Sequence, residues 1–219
     1  MAKKIVCAGN LCLDITPVFH QDRAVDAASL FLPGKLIEVG EAEMHAGGAV
    51  SNTGLGFSIL GADVTLMGKI GRDPFGDMIR SIIDQYPVND KITVSDSCST
   101  SYSIVLAPPG IDRIFVHCTG ANDTFGVGDI DFDEVKNADL FHFGYPTIMK
   151  QMYQHPEELT AMYREARKLG TKTSLDLAAV PESSEAAGVD WPGVFQQLLP
   201  YVDYFVPSVE EGVRTKSWT

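Results

Sequence analysis

Two glycines, an asparagine and an aspartate have the types and spacing of a site that binds hydroxyl groups. Gly47 and Gly48 precede a stretch of small residues predicted to be helical, and Asn52 lies one turn into it. Backbone without a Cβ atom approaches a ligand closely, and an asparagine amide both donates and accepts hydrogen bonds. The alternative is a tight turn with a capping role, because glycine and asparagine are frequent turn residues.

Asp14 lies just beyond the first predicted strand, in the sequence GNLCLD at 9–14. A carboxylate accepts hydrogen bonds from two hydroxyl groups at once. Taken alone, an aspartate after a strand is more often an ordinary solvated loop or helix-cap residue. Taken together with the glycine pair and Asn52, Asp14 favours a site for a ligand rich in hydroxyl groups.

The elements that would position these residues alternate between strand and helix. Apolar, β-rich runs predict strands at 4–8, 64–68, 140–143, 172–177 and 204–206. Apolar periodicity predicts helices from 46, from 74, at 156–169 and at 191–199. This rhythm is typical of a parallel sheet covered by helices. Residues after 208 show no apolar periodicity, so neither helix nor strand is predicted there.

Two segments interrupt this rhythm. Residues 15–45 mix prolines and a glycine with short apolar pairs, which predicts irregular structure with an exposed hairpin. Residues 91–120 alternate β-branched and polar residues around a turn at 108–112, which predicts a hairpin inserted between α/β units.

Composition argues against several classes of function. Lys and Arg number 17 against 29 for Asp and Glu, a net charge of −12 that disfavours nucleic acid and anionic membranes. No apolar run approaches the roughly 20 residues of a membrane span, and the amino-terminal run is too short for a signal peptide, which favours the cytoplasm. The four cysteines lack zinc-site spacing and are expected to be buried thiols. The histidines at 45, 117 and 142 share no metal-ligand spacing and are expected to be structural.

Residues 47–76 carry a longer pattern, in which GGAVSN is followed by LGA at 60–62 and GKIGRDPFG at 68–76. This pattern resembles the amino-terminal motif of the ribokinase-like, or PfkB, family of carbohydrate and nucleoside kinases, and the similarity extends over about residues 4–211. The resemblance implies a three-layer α/β sandwich with a mostly parallel sheet, in one domain at 1–219. It also implies a small β-stranded lid formed by 15–45 and 91–120, which closes over the sugar.

The family's functional residues carry over position by position. The implied substrate contacts are Asp14, Gly47, Gly48, Ala49 and Asn52. The implied lid residues, which cover the ligand or a second copy in a lid-mediated homodimer, are Tyr102, Ile104 and Phe115. A hairpin that packs only on its own core is the alternative for the lid.

Positions that resemble the family's nucleotide-binding residues lie near the end of the chain. Ser208 and Glu211, in PSVEE at 207–211, occupy the positions of the family's Asn-x-x-Glu, with serine replacing asparagine. The resemblance implies that Glu211 helps to hold Mg²⁺ through water. Asp176 ends a predicted strand at the edge where open α/β sheets bind ligands, and a plain strand-end aspartate is the alternative. ATP and Mg²⁺ are the implied cofactors.

The segment DTFGVGD at 123–129 resembles the family's carboxyl-terminal motif DTxGAGD, whose last aspartate is the catalytic base. Its position argues against that role, because it directly follows the lid hairpin, whereas the family motif comes several βα units later. We therefore expect a look-alike, with the base in a segment missing from this chain. A weaker alternative makes Asp129 the base of a rearranged site.

The resemblance implies transfer of the ATP γ-phosphate to a hydroxyl group of a carbohydrate, with this chain a truncated, inactive fragment. A non-catalytic sugar-binding or dimerising module is the alternative. The substrate stays open, because the same motif serves fructose, ribose, ketodeoxygluconate and nucleosides.

Overall fold

A six-stranded parallel sheet forms the centre of the computed structural model, which describes residues 2–20 and 32–215. In order across the sheet, the strands are β12 (Tyr204–Phe205), β11 (Lys172–Asp176), β10 (Leu140–Gly144), β1 (Lys4–Gly9), β4 (Asp63–Met67) and β6 (Val88–Asp90). The five strands predicted from apolar runs are all present, and each pairs in parallel with its neighbours.

Helices connect these strands and cover the sheet. They are α1 (Gly48–Ile59), α2 (Pro74–Ile83), α3 (Phe132–Lys136), α4 (Lys150–Gln154), α5 (Pro156–Lys168), α6 (Trp191–Leu198) and α7 (Val209–Arg214). Helix α2 begins where the sequence predicts, because Asp73 accepts a hydrogen bond from the Gly76 amide at 2.9 Å. Pro74 occupies the first turn, where the fixed φ of proline suits a helix.

The prediction that nothing regular follows residue 208 is wrong. Helix α7 begins there, and its start is fixed by a capping box in which Ser208 and Glu211 bond each other's backbone amides at 3.2 and 2.6 Å. The serine-to-glutamate spacing was the available signal. Apolar periodicity gave little signal, because Val209 and Val213 are the large apolar residues of this short helix and neither faces the core.

A second, four-stranded sheet forms the lid. Its strands, in order, are β3 (Ala42–Gly47), β2 (Cys12–Pro17), β8 (Tyr102–Leu106) and β9 (Ile114–Cys118). The predicted hairpin between 91 and 120 is the antiparallel pair β8–β9, and β8 joins β2 in parallel. Short strands β5 (Lys69–Gly71) and β7 (Thr93–Ser95) pair beside it. The part of the predicted first hairpin at 21–31 lies outside the described residues.

The two faces of the parallel sheet bury separate apolar clusters. One face packs Phe141 and Phe143 of β10 against α5 and α6, where the Tyr163 ring of α5 lies edge-on to Phe141. The other packs Cys7 and Leu66 under α1 and α2. All four cysteines are free thiols, and the prediction that they are buried holds for Cys7 and Cys12, whereas Cys98 and Cys118 are only half-buried. Each helix within the described ranges is too short or too polar to cross a bilayer.

Candidate functional site

The carboxyl ends of β1, β10 and β11 meet at one edge of the sheet. Gly9 is level with Gly144, and Gly144 is level with Asp176 on the next strand. Such an edge is where open α/β sheets bind ligands. Helix α1 begins over this edge, since the Val50 amide donates to the carbonyl of Asn10 at 3.0 Å.

The glycine pair at the start of α1 is required by close packing. Gly48 has a φ of +82°, and a Cβ atom at this position would lie 2.5 Å from the carbonyl oxygen of Asn10. A Cβ atom on Gly47 would overlap the carboxylate of Asp14. The two glycines therefore let the backbone of α1 reach both the strand ends and the Asp14 carboxylate.

Asp14 lies on β2 and is half-buried, level with His45 on one neighbouring strand and Ser103 on the other. The Sγ atom of Cys12 lies 3.3 Å from its Oδ1 atom. Burial, and then the negative charge of Asp14, raise the pKa of the Cys12 thiol well above its usual value. Cys12 therefore stays protonated and donates to Asp14, while the other carboxylate oxygen is left for further donors.

Asn52 is exposed on α1 and interacts with Tyr145, a residue that the sequence analysis did not single out. Tyr145 follows β10 with a φ of 67°, a left-handed conformation that strains a residue with a large side chain. Burial raises the pKa of its hydroxyl, and the Asp176 carboxylate raises it further, while the hydrogen bond to Asn52 opposes both effects. Tyr145 thus links the predicted substrate contact Asn52 to the strand-end Asp176.

A buried asparagine holds the turn between β1 and β2. Asn122 accepts from the Leu11 amide at 3.1 Å and donates to the Leu11 carbonyl at 3.0 Å. Its side chain is fully buried. Because Asp14 follows this turn by three residues, Asn122 fixes where the carboxylate enters the site. Nothing in the spacing of Asn122 pointed to this contact.

The carboxylates predicted for the nucleotide side are near enough to interact. Burial raises the pKa of Asp176 to about 6, and the negative charge of Glu211 adds to the shift, although the Leu177 amide opposes it. Glu211 and Ser208 also serve as the capping box of α7. Burial is thus the main cause of the shift, and the nearby Glu211 carboxylate is a smaller one.

The look-alike segment at 123–129 is built into the wall of the fold. It contributes to two 3-10 turns, Gly120–Thr124 and Val127–Asp129, and not to the start of an α-helix. Asp129 pairs with Lys69 at 3.1 Å, with both side chains largely buried, and accepts from the Gly126 amide at 2.9 Å. Through these contacts Asp129 helps to hold the wall of the fold together.

Strand alternation separates the predicted lid residues. Asp14 is level with Ser103 on β8, and Ser103 is level with His117 on β9. Phe115 lies two residues from His117 on the same strand, so it lies on the same face of the lid as Asp14. Tyr102 and Ile104 lie on the opposite face, where Tyr102 packs edge-on against Phe75 of α2, with ring centroids 5.3 Å apart.

His142 and His45 have local contacts. His142 is buried, its Nδ1 atom lies 3.1 Å from the Ser174 hydroxyl, and burial lowers its pKa to about 4, so that it is neutral. His45 is exposed and lies 3.6 Å from Glu43. In the ranges 2–20 and 32–215, no three potential ligands converge as a metal site would require.

A parallel α/β sheet with a β-stranded lid at its carboxyl edge defines the ribokinase-like class of fold. The chain matches the pfkB family carbohydrate kinase over residues 2–215 and belongs to that family. The predicted α/β, ribokinase-like fold is therefore confirmed.

Curated relatives and solved structures agree with this assignment. The chain is 27% identical over 150 residues to a probable chloroplastic fructokinase-6 of Arabidopsis thaliana, covering 67% of this chain and 36% of the relative. It is 30% identical over 122 residues to a putative sugar kinase of Pyrococcus horikoshii, covering 51% and 36%. The fructokinase of Xylella fastidiosa superposes with a TM-score of 0.74 at 21% identity, covering 99% of this chain and 65% of that one. The chain thus spans about a third of these curated relatives and two thirds of the solved kinase.

The raised pKa of Asp176 predicts a pH-dependent effect of the substitution Asp176→Asn. A carboxyl group whose pKa is raised on folding stabilises the fold when protonated and loses that contribution as the pH rises through about 6. We expect the variant to melt at a higher temperature than the parent at pH 7.5, with the difference closing as the pH falls towards 4.

Thermal melts between these pH values measure the effect. Asp112→Asn is the matched control, because Asp112 is exposed in the turn of the lid hairpin and the same substitution there should shift melting equally across the range. A difference that widened on acidification would contradict the placement of Asp176.

Proposed function

We propose that this chain is the sugar-binding portion of a carbohydrate kinase that transfers the ATP γ-phosphate to a hydroxyl group. The observation that carries the proposal is the close approach of Gly47 to the Asp14 carboxylate, one turn before Asn52. This arrangement offers a carboxylate acceptor, a glycine backbone and an amide within one small region, which suits a polyhydroxylated ligand.

In this proposal, the residues of the chain bind and orient the acceptor sugar. Asp14 accepts hydrogen bonds from sugar hydroxyls, and Asn52, steadied by Tyr145, contacts another part of the ring. Gly47, Gly48 and Ala49 bring backbone up to the sugar, because the absence of a Cβ atom on the two glycines lets the start of α1 pack closely against Asn10 and Asp14. Orienting the reacting hydroxyl in this way lowers the entropic barrier to phosphoryl transfer, and the lid, with Phe115 on its inner face, excludes water.

Asp176 and Glu211 fit a role on the phosphate side. Mg²⁺ is commonly held by one or two carboxylates together with substrate phosphates, so a protein need not supply a complete ligand set. Burial is the main cause of the raised pKa of Asp176 and the Glu211 charge adds to it, and a bound cation would favour the ionised carboxylate against both. When bound, ATP and Mg²⁺ supply the transferred phosphoryl group and neutralise its developing charge. Ser208 would contribute through the capped start of α7.

We further propose that the catalytic base lies in a segment outside this chain, which then cannot turn over alone. Asp129 has Lys69 as its ion-pair partner, which argues against its acting as the base. Apolar side chains are also exposed around β12 and α7, where a further element would cover them: Tyr204, Val206, Val209 and Val213 are 54, 54, 78 and 65% exposed.

Calorimetric binding of D-fructose, D-ribose and adenosine tests the acceptor site. We expect at least one to bind, and we expect Asp14→Asn to weaken that binding at least tenfold, because hydrogen bonds to charged groups contribute about 1.5–3 kcal/mol. Asp112→Asn should bind as the parent does, since that aspartate is exposed in the hairpin turn. No binding by the parent, or equal binding by the Asp14 variant, would refute the proposal.

A coupled kinase assay with ATP and Mg²⁺ measures turnover by the same protein preparations. We expect no sustained turnover by this chain and turnover by a longer chain that continues with a DTxGAGD-like segment. Sustained turnover by this chain would remove the inactivity proposal, and its loss in Asp129→Asn would then identify Asp129 as the base of a rearranged site.

The alternative proposal, a dimerising module, is favoured by the outer face of the lid. Met44, Ile15, Ile104 and Val116 form a row across the four lid strands, and Met44 and Val116 are 43 and 49% exposed. Ile15 packs partly against the apolar cluster under α1 and α2, so a second copy would cover mainly Met44 and Val116. We expect sedimentation velocity to show a dimer that Val116→Asp dissociates and that Ile59→Asp, an exposed position on α1, leaves intact. A monomeric parent would contradict it.

A further inference from the structure

Four polar side chains form a row across the inner face of the lid, one from each strand. The row runs His45, Asp14, Ser103 and His117, since each residue is level with the next in the strand register. This is the face that carries the Asp14 carboxylate over the start of α1. The side chains of the row therefore face the same space as the proposed sugar site.

Ser103 fixes the position of His117. The serine hydroxyl lies 3.0 Å from Nδ1 of His117, and Ser103 itself is only 5% exposed. The Sγ atom of Cys12 lies 3.9 Å from the same hydroxyl and 3.3 Å from Asp14. Polar contacts thus continue from His117 to the Asp14 carboxylate, and part of His117 stays accessible to solvent.

The charge state of His117 limits what it can recognise. Desolvation lowers the pKa of its imidazole, and the carboxylates of Asp14 and Asp123 and a backbone hydrogen bond to Tyr102 only partly oppose this. The ring is therefore neutral at pH 7 and carries one donor and one acceptor nitrogen. A neutral imidazole suits a sugar hydroxyl better than a phosphate group.

We propose that His117, positioned by Ser103, determines which sugar the site accepts by binding a hydroxyl group at the end of the ligand away from Asp14. His117 lies two strands from Asp14, which is about 10 Å between backbones. The two side chains must therefore reach different parts of one ligand. The substrate class is a neutral polyol with a hydroxyl group at each of these two places, and the inference rests on the proposed sugar-binding function.

Calorimetry with the full chain tests this role, with the tightest-binding ligand among D-fructose, D-ribose and adenosine and its monodeoxy analogues as probes. We expect His117→Leu to weaken binding of the parent ligand about threefold to tenfold, as expected for one neutral hydrogen bond. One monodeoxy analogue, which lacks the contacted hydroxyl group, should bind the parent protein and the His117→Leu variant with equal affinity. Ser103→Ala should show a smaller loss, and His117→Gln, which keeps a donor and an acceptor, should recover part of the affinity.

His155→Leu is the matched control, because His155 is an exposed histidine at the start of α5, away from the lid. If Asp14→Asn abolishes binding while His117→Leu binds like the parent, the inference fails and the proposed function stands. Equal weakening for the parent ligand and all of its analogues would show a merely structural role and would also overturn the inference. If the parent protein binds none of the three ligands, both proposals fail.

Discussion

The close approach between the loop after β1 and the start of α1 is the constraint on which the rest of the site depends. The Asn10 amide donates to Gly144 at 3.2 Å, and the Asn10 carbonyl accepts from Val50 at 3.0 Å. Asn10 is therefore bonded to the neighbouring strand on one side and to the helix on the other. Gly48 makes this possible, because a Cβ atom there would collide with the Asn10 backbone.

This packing couples the central sheet to the lid. Strand β2 leaves the loop after Leu11, which Asn122 holds by both its backbone groups, and β3 ends at Gly47 where α1 begins. Lid strands β2 and β3 are thus anchored at the same point as the helix. A ligand bound at Asp14 would therefore contact the lid and the helix start together.

Much of the fold and part of the candidate site could be predicted from the sequence. The strands and long helices follow from short-range apolar patterns, and Asp14 and the glycine pair belong to a motif of fixed spacing. The contacts of Tyr145 and Asn122 could not be predicted, because they depend on a left-handed backbone residue and on a hydrogen bond between residues 111 positions apart. The contact between His117 and Ser103 could not be predicted either, because it depends on the register of β8 and β9.

Replacing Gly47 with alanine tests the central claim most directly, with binding of the tightest-bound ligand of the proposed panel as the measurement. The added methyl group would occupy the space of the Asp14 carboxylate, so the account predicts at least a tenfold loss of affinity. Gly56→Ala, in the middle of α1 with open space around it, should bind like the parent and gain about 0.5–1 kcal/mol in stability. Undiminished binding by the Gly47 variant would contradict the account.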